Sequence, residues 1–331
     1  MRYTEVKGRP VSAMSLGTVQ LGMNYGIANK EGKPDREKSF AILTAALEAG
    51  VSALDTARAY GESEEVLGDF FKANPKSKDI FYITSKLSSG LPAGSTEQDV
   101  EKTLFKSIET SLSALGRAKV NCLLLHNASD MYIHGKIVAN TLRRLVSMGL
   151  ADMAGVSVYH PEEAELLLED DIYQAVQLPI NVFDQRFIKS GILDRLSGRG
   201  IHIFARSVFF QGLFFLDPEN LSDPDLVQHA VPHLRTLRLL SEKAEMSIAQ
   251  FAVSFLQSLP GITSLVLGAD NPEQVKQNAA LFEAHHNKEN SDKKYPIAQN
   301  IYQLAQEAFE EINYPEIMTV LSRPRTDPVH L

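Results

Sequence analysis

Four polar residues stand at or just beyond the ends of short apolar runs. Asp55 closes VSALD, Tyr60 follows it by five residues, Lys86 closes IFYITSK and His126 closes VNCLLLH. An acid, a phenol, an amine and an imidazole are the equipment of proton transfer. A phenol with a pKa near ~10 is protonated at neutral pH, and a neighbouring ammonium makes it a better acid and base by stabilising the phenolate. Taken singly, each residue also has an ordinary use. Asp55 could cap the helix beginning near Glu62 or pair with Arg58, and Tyr60 could be a packed aromatic with a wet tip. Lys86 could be a solvated cation and His126 a hydrogen-bonded loop residue. Their shared position at strand ends is what joins them, because parallel strands closed into a barrel would bring all four to one rim, where barrel active sites are built.

The elements needed to position them are present. After a β-hairpin expected over residues 2–12, with Lys7-Gly8-Arg9-Pro10 at its turn, strand and helix signals alternate. They run from SAMSLGT and the helix at 35–49, which Gly50 closes, through VSALD, SEEVLGDFFK, IFYITSK, DVEKTLFKSIETSLSALG, VNCLLLH and GKIVANTLRRLVSMG. MAGVSV, PEEAELLLED, YQAVQLP, QRFIKSGILDRLSGRG, IHIFARS, a long helical region ending near SIAQFAVSFLQSL, and ITSLVLG continue the series. About eight strand–helix pairs predict an α/β chain of the (β/α)8 TIM-barrel class, with the hairpin capping its floor. A single domain over residues 1–331 is expected, without an interdomain linker. The loop from Gln20 to Pro34 should lie over the catalytic rim, HHNKENSDKKYP should be a solvated, mobile connector, and AQNIYQLAQEAFEEI should be an extra C-terminal helix.

Composition narrows the partners. With 331 residues, 44% hydrophobic and 22% charged, the chain can bury a large core, and its formal net charge of −8 without a sustained basic run argues against nucleic acid. A small-molecule partner is expected, and the oligomeric state stays open. The single cysteine, Cys122, excludes an intrachain disulfide and disfavours a cysteine zinc site. MRYTEVKGRP has no signal-peptide core, and no stretch approaches the ~18 apolar residues of a membrane span. A cytoplasmic protein is expected, with no membrane partner.

The run LDTARAYGESEEVLG, then TSK, then LLLH, resembles the aldo-keto reductase superfamily, and the resemblance extends from Leu16-Gly17-Thr18 to Asn278. It implies an NAD(P)(H)-dependent oxidoreductase that interconverts an aldehyde or ketone with its alcohol, nicotinamide supplying the hydride that no side chain can store. It further implies that Tyr60 is the general acid, Lys86 tunes it, Asp55 pairs with the lysine and His126 orients the carbonyl. The implied cofactor contacts are Gly17, Thr18 and Asp55 near the first strands, and Ser157 and Gln177 on the carboxamide. Arg206, Ser207, Gly212 and Leu213 fall in the pyrophosphate segment, and Gly268, Ala269, Gln274, Gln277 and Asn278 at the adenosine end.

Several positions depart from that pattern. Val158 replaces the asparagine common after the serine, with Tyr159 or His160 as stand-ins, and Ser157 also suits an ordinary helix cap before Pro161. Arg206 stands where an aromatic residue is common; a planar guanidinium can stack on a ring as well. The cations that grip a 2′-phosphate in NADP-selective relatives are absent at Gly268 and Gln274, and Asp270 adds negative charge there, although Lys276 could compensate. NADPH is the favoured cofactor on the family resemblance, with NADH or dual use close behind because of these departures. A polar carbonyl such as a sugar derivative is the expected substrate. Two other readings remain open: a nicotinamide-binding regulatory or redox-sensing barrel with little turnover, and an unrelated metal-dependent barrel, for which His285-His286 offers no further ligand spacing. No metal is expected.

Overall fold

Apolar runs that read continuously, rather than alternating with polar residues, belong to strands covered on both faces. The computed structural model describes residues 1–27, 29, 32–88, 91–283, 294–309, 312, 317, 318 and 321. Strands β1 (Tyr3–Val6) and β2 (Arg9–Ser12) form the antiparallel hairpin. Its turn is only Lys7-Gly8, so Arg9 and Pro10 belong to the second strand rather than to the turn. The other strands are β3 (Met14–Gly17), β4 (Ala53–Asp55), β5 (Tyr82–Leu87), β6 (Val120–Leu125), β7 (Ala151–Ser157), β8 (Tyr173–Pro179), β9 (His202–Arg206) and β10 (Ile262–Gly268). These eight close a parallel barrel in sequence order, β10 pairing with β3. The architecture is the (β/α)8 barrel with its hairpin cap.

Side-chain alternation along each strand decides what meets inside. Ala53, Tyr82, Cys122, Leu124, Met153, Ala175 and Phe204 form a cluster with Val6 and Val11 of the hairpin, which plug the floor. Two residues beyond members of this set, in the same phase, come Asp55, His126, Gln177 and Arg206, while Lys86 follows Tyr82 by four and Ser157 follows Met153 by four. Inward-facing residues thus change from apolar at the floor to polar at the rim. The larger apolar cluster lies outside, between strands and helices.

Capping residues stand where the helices need them. Asp35 accepts from Lys38 N to start Arg36–Glu48, Thr96 and Asp99 form a capping box before Glu97–Leu115, and Ser247 starts Ile248–Gln257. QRFIKSGILDRLSGRG is not one helix. Gly191, at φ +73°, divides it into Arg186–Lys189 and Ile192–Gly198, because a left-handed residue ends the first segment. The long helical region before β10 is likewise divided into Phe210–Phe215, Pro218–Asn220, Pro224–His229, Val231–Lys243 and Ile248–Gln257. The C-terminal helix, Lys294–Ala308, stacks Tyr302 on Phe255 with ring centroids 5.9 Å apart. Residues 284–293 of the expected connector, His285 and His286 among them, lie outside the described residues. Among the described residues no helix is long and apolar enough to cross a membrane.

Candidate active site

The strand ends deliver three of the four candidate catalytic groups, and a turn delivers the fourth. Tyr60 sits on the turn after β4. Gly22 lies against that turn so closely that a Cβ there would come 1.8 Å from Tyr60 O, so only glycine allows the approach. Arg58, two residues before Tyr60, donates to Glu64 Oε2 at 2.8 Å and to Glu65 Oε1 at 2.8 Å. Asp55 is therefore not Arg58's partner.

Lys86 is buried and makes four contacts at Nζ: Asp55 Oδ1 at 2.9 Å, Asp55 Oδ2 at 2.8 Å, Thr56 O at 3.0 Å and Tyr60 Oη at 3.1 Å. Gln177 Nε2 donates to Asp55 Oδ1 at 2.6 Å. An ammonium has no acceptor, so the lysine must donate to the phenol oxygen, and Tyr60's own O–H is free for another acceptor. His126 stands edge-on to the Tyr60 ring, with centroids 5.8 Å apart. A space opposite Tyr60 and His126 would therefore meet an O–H donor and an imidazole together.

Burial changes the titration of this group. It is the largest influence on Tyr60 and raises its pKa; Lys86 opposes it without overcoming it, and Asp55 adds to it. The expectation that the lysine leaves the phenol with a lowered pKa thus fails for the net direction, although the lysine acts in the expected sense. Burial also works to lower Lys86, but Asp55 and Tyr60 outweigh it and hold the ammonium charged. For His126, burial first and Lys86 second push the pKa down to about 4, so the imidazole is neutral near pH 7.

A cavity of about 690 Å³ extends from Tyr60 and His126, past Ser157 and Gln177, to Gly268, Gln274, Gln277 and Asn278. Gly17, Thr18, Asp55, Arg206, Ser207 and Gly212 also line it. Lys86, Leu213 and Ala269 do not. Lys86 stands behind Tyr60, and the side chains of Leu213 and Ala269 are buried in the apolar core. Ser157 is not the helix cap: His160 precedes Pro161–Leu167, and Glu163 Oε2 accepts from the backbone N–H of Tyr159 and His160. Val158 is fully buried.

The far end of the cavity is made of amides. Asn278 Nδ2 donates to Gly268 O at 3.1 Å, and Asp270 N donates to Gln274 Oε1 at 2.7 Å. Gln20, which the sequence placed only at the edge of a loop, crosses to this end. A Cβ on Gly268 would meet its Nε2 at 2.0 Å, and its buried Oε1 has no hydrogen-bond partner among the described residues. Lys276 is exposed and outside the lining. At the other end Tyr25 and Tyr159 join the wall, from segments without strand or helix signals of their own. Among the described lining residues the single cation is Arg206.

Comparison with known proteins identifies the family. The model of the Aldo/keto reductase family matches residues 13–294. The chain belongs to that family. It is 30% identical over 307 residues to the L-glyceraldehyde 3-phosphate reductase of Escherichia coli strain K12, covering 84% of this chain and 86% of the relative. The aldo-keto reductase from Bacillus halodurans, solved in its holo form, shares the fold at a TM-score of 0.69 and 17% identity, covering 91% of this chain and 95% of that one. This aldo-keto reductase is thus an NAD(P)H-dependent oxidoreductase that interconverts an aldehyde or ketone with its alcohol. Nothing in the comparisons favours the regulatory reading. Among the described residues no cluster of three or more His, Cys, Asp or Glu is placed to hold a metal.

Proposed function

We propose that Tyr60 donates the proton to the carbonyl oxygen in reduction and recovers it in oxidation. The observation that carries this reading is the direction of its hydrogen bond: Lys86 Nζ donates to Tyr60 Oη at 3.1 Å, which leaves the phenol proton available on the cavity side. Asp55 and Gln177 hold Lys86 in place, so the ammonium stays beside the oxygen as negative charge develops there. Neutral His126 donates a second hydrogen bond to the same carbonyl oxygen and orients it.

The cavity fits a nicotinamide dinucleotide by size and by donor set, since its volume lies within the ~300–1,000 Å³ range of ligand sites. When bound, the cofactor supplies the hydride. Ser157 and Gln177 would hold its carboxamide, Ser207 and Gly212 its pyrophosphate, and Gln20, Gly268, Gln274, Gln277 and Asn278 its adenosine half. We place the preference with NADH rather than with the NADPH favoured on the family resemblance. No cation lines the far end among the described residues, Asp270 is acidic, and the buried acceptor of Gln20 suits a hydroxyl donor rather than a phosphate dianion. The substrate we infer is a short polar carbonyl compound, in keeping with the relative named for glyceraldehyde 3-phosphate and with the amide and phenol groups around Tyr60.

Fluorescence titration with NADH and NADPH tests the cofactor assignment. NADH should bind more tightly, and a double variant, Asp270→Ser with Gln274→Arg, should tighten NADPH about tenfold, the worth of a charge-assisted contact. Tighter NADPH binding by the wild type would overturn the preference, and binding of neither would overturn the placement of the cofactor in this cavity.

A further inference from the structure

Arg206 closes β9 in the same inward phase as Phe204 and, unlike half-buried Arg58 and Arg186, it is not held by a carboxylate. Arg58 rests on buried Glu64, and Arg186 Nε donates to buried Asp184 at 2.9 Å. Arg206 has no carboxylate within ion-pair distance among the described residues. Its Nη2 donates to Val158 O at 3.1 Å, and its guanidinium carbon lies 4.2 Å from the centre of the Tyr159 ring. One of five N–H donors is committed to protein, and the others have no partner among the described residues.

A guanidinium taken partly out of water without a counter-charge is costly unless something else completes its hydrogen bonding. The backbone carbonyl and the ring fix its plane and leave its charge unneutralised. That charge is felt at Tyr25, Tyr60 and His126, which places it at the reacting end of the cavity. Tyr25 and Tyr159 add two phenol donors, and all three residues share the cavity with Tyr60. Lys86 is already neutralised by Asp55, so the net positive charge of the reacting end resides on Arg206.

We propose that Arg206, flanked by Tyr25 and Tyr159, is a subsite for an anionic group on the substrate, rather than the cofactor contact that the family resemblance implies. The enzyme's substrates are then aldehydes or ketones that carry a carboxylate or a phosphate. This deepens, and rests on, the reading of Tyr60 as proton donor. Planar bidentate contact is what a guanidinium offers to either anion, and a lysine ammonium offers no such fork.

The experiment compares matched pairs with NADH as cofactor: succinate semialdehyde against butyraldehyde for a carboxylate, and glyceraldehyde 3-phosphate against glyceraldehyde for a phosphate. The wild type should prefer the anionic member of at least one pair, which also identifies the anion. Raising ionic strength should increase the KM of that substrate more than that of its neutral partner. In Arg206→Gln the anionic-to-neutral ratio of kcat/KM should fall about 10- to 100-fold, chiefly through KM, the loss expected for hydrogen bonds to a charged group. Arg206→Lys should recover part of it. NADH affinity is measured in parallel by fluorescence, and thermal melting reports whether each variant folds. Equal use of both members of each pair by the wild type overturns the proposal. So does a variant that loses both members equally while NADH binding weakens by the same factor, since Arg206 would then serve the cofactor. Failure of the Tyr60 reading looks different, because Tyr60→Phe would then reduce the neutral aldehydes at the wild-type rate.

Discussion

At one end of the cavity a buried ammonium, a carboxylate, a phenol and an amide are joined by four contacts of 2.6–3.1 Å; at the other, Asn278 and Gln274 meet Gly268 and Asp270 through single hydrogen bonds, and Gln20 packs against Gly268. The energies differ accordingly. Removing one partner of a buried charged pair costs about 3–5 kcal/mol, because the other charge is left stranded, whereas a typical neutral hydrogen bond is worth about 1 kcal/mol net. Removing Lys86 or Asp55 at the reacting end should therefore cost both stability and chemistry. On the proposed reading, the amide end should exchange one cofactor for another at small cost, and reaction type and cofactor preference are set by separate parts of one cavity.

The strongest way to break this contrast is Lys86→Met. It strands buried Asp55 and should lower the free energy of unfolding by about 3–5 kcal/mol in urea titrations. The same change should slow carbonyl reduction at least about 100-fold in single-turnover assays. A stable, active Lys86→Met enzyme would show that the reacting end is no more constrained than the amide end. The next largest effect is the tenfold change in NADPH affinity expected for Asp270→Ser with Gln274→Arg, which should leave thermal stability nearly unchanged. If that double variant unfolded, the amide end would be structural as well as selective.

The smallest effect concerns His126. Its folded-state pKa of about 4 lies below the ordinary imidazole range near ~6.5, so the unfolded chain takes up the proton first as the pH falls. Stability should be intact above pH ~6.5 and decline toward pH 4 as the buried neutral imidazole is penalised. His126→Gln should remove that part of the decline, measured as the difference in melting temperature between pH 7 and pH 5. An unchanged difference would mean that the imidazole is already protonated in the fold or freely solvated.

Much of the reacting end was legible in the chain because strand phase is a local property. Knowing that VSALD, IFYITSK and VNCLLLH are parallel strands is enough to send Asp55, Lys86 and His126 to one rim. Tyr60 needed the turn, and the turn needed Gly22, well before it in the chain, to press against it. Contacts between distant strands were not legible. The bond from Gln177 to Asp55 spans 122 residues, and the packing of Arg206 on Tyr159 depends on β7 and β9 flanking β8. Gln20 lies in the short helix Val19–Gly22, inside the segment expected to be a loop, and Tyr25 and Tyr159 lie on loops whose course no periodicity predicts. The direction of the Tyr60 pKa was hidden for a related reason: it is set by how much apolar surface surrounds the ring, and that sum exists only in the fold. The break at Gly191 was visible as a glycine but not as a left-handed one.

The most direct test of the central claim is Tyr60→Phe, which keeps the ring and removes only the hydroxyl that Lys86 addresses. Hydride transfer to a polar aldehyde, measured in a single turnover with saturating NADH, should slow about 10²- to 10⁴-fold while the affinity for NADH stays within twofold. A rate within threefold of the wild type, with NADH still bound, would contradict the assignment of Tyr60 as the proton donor.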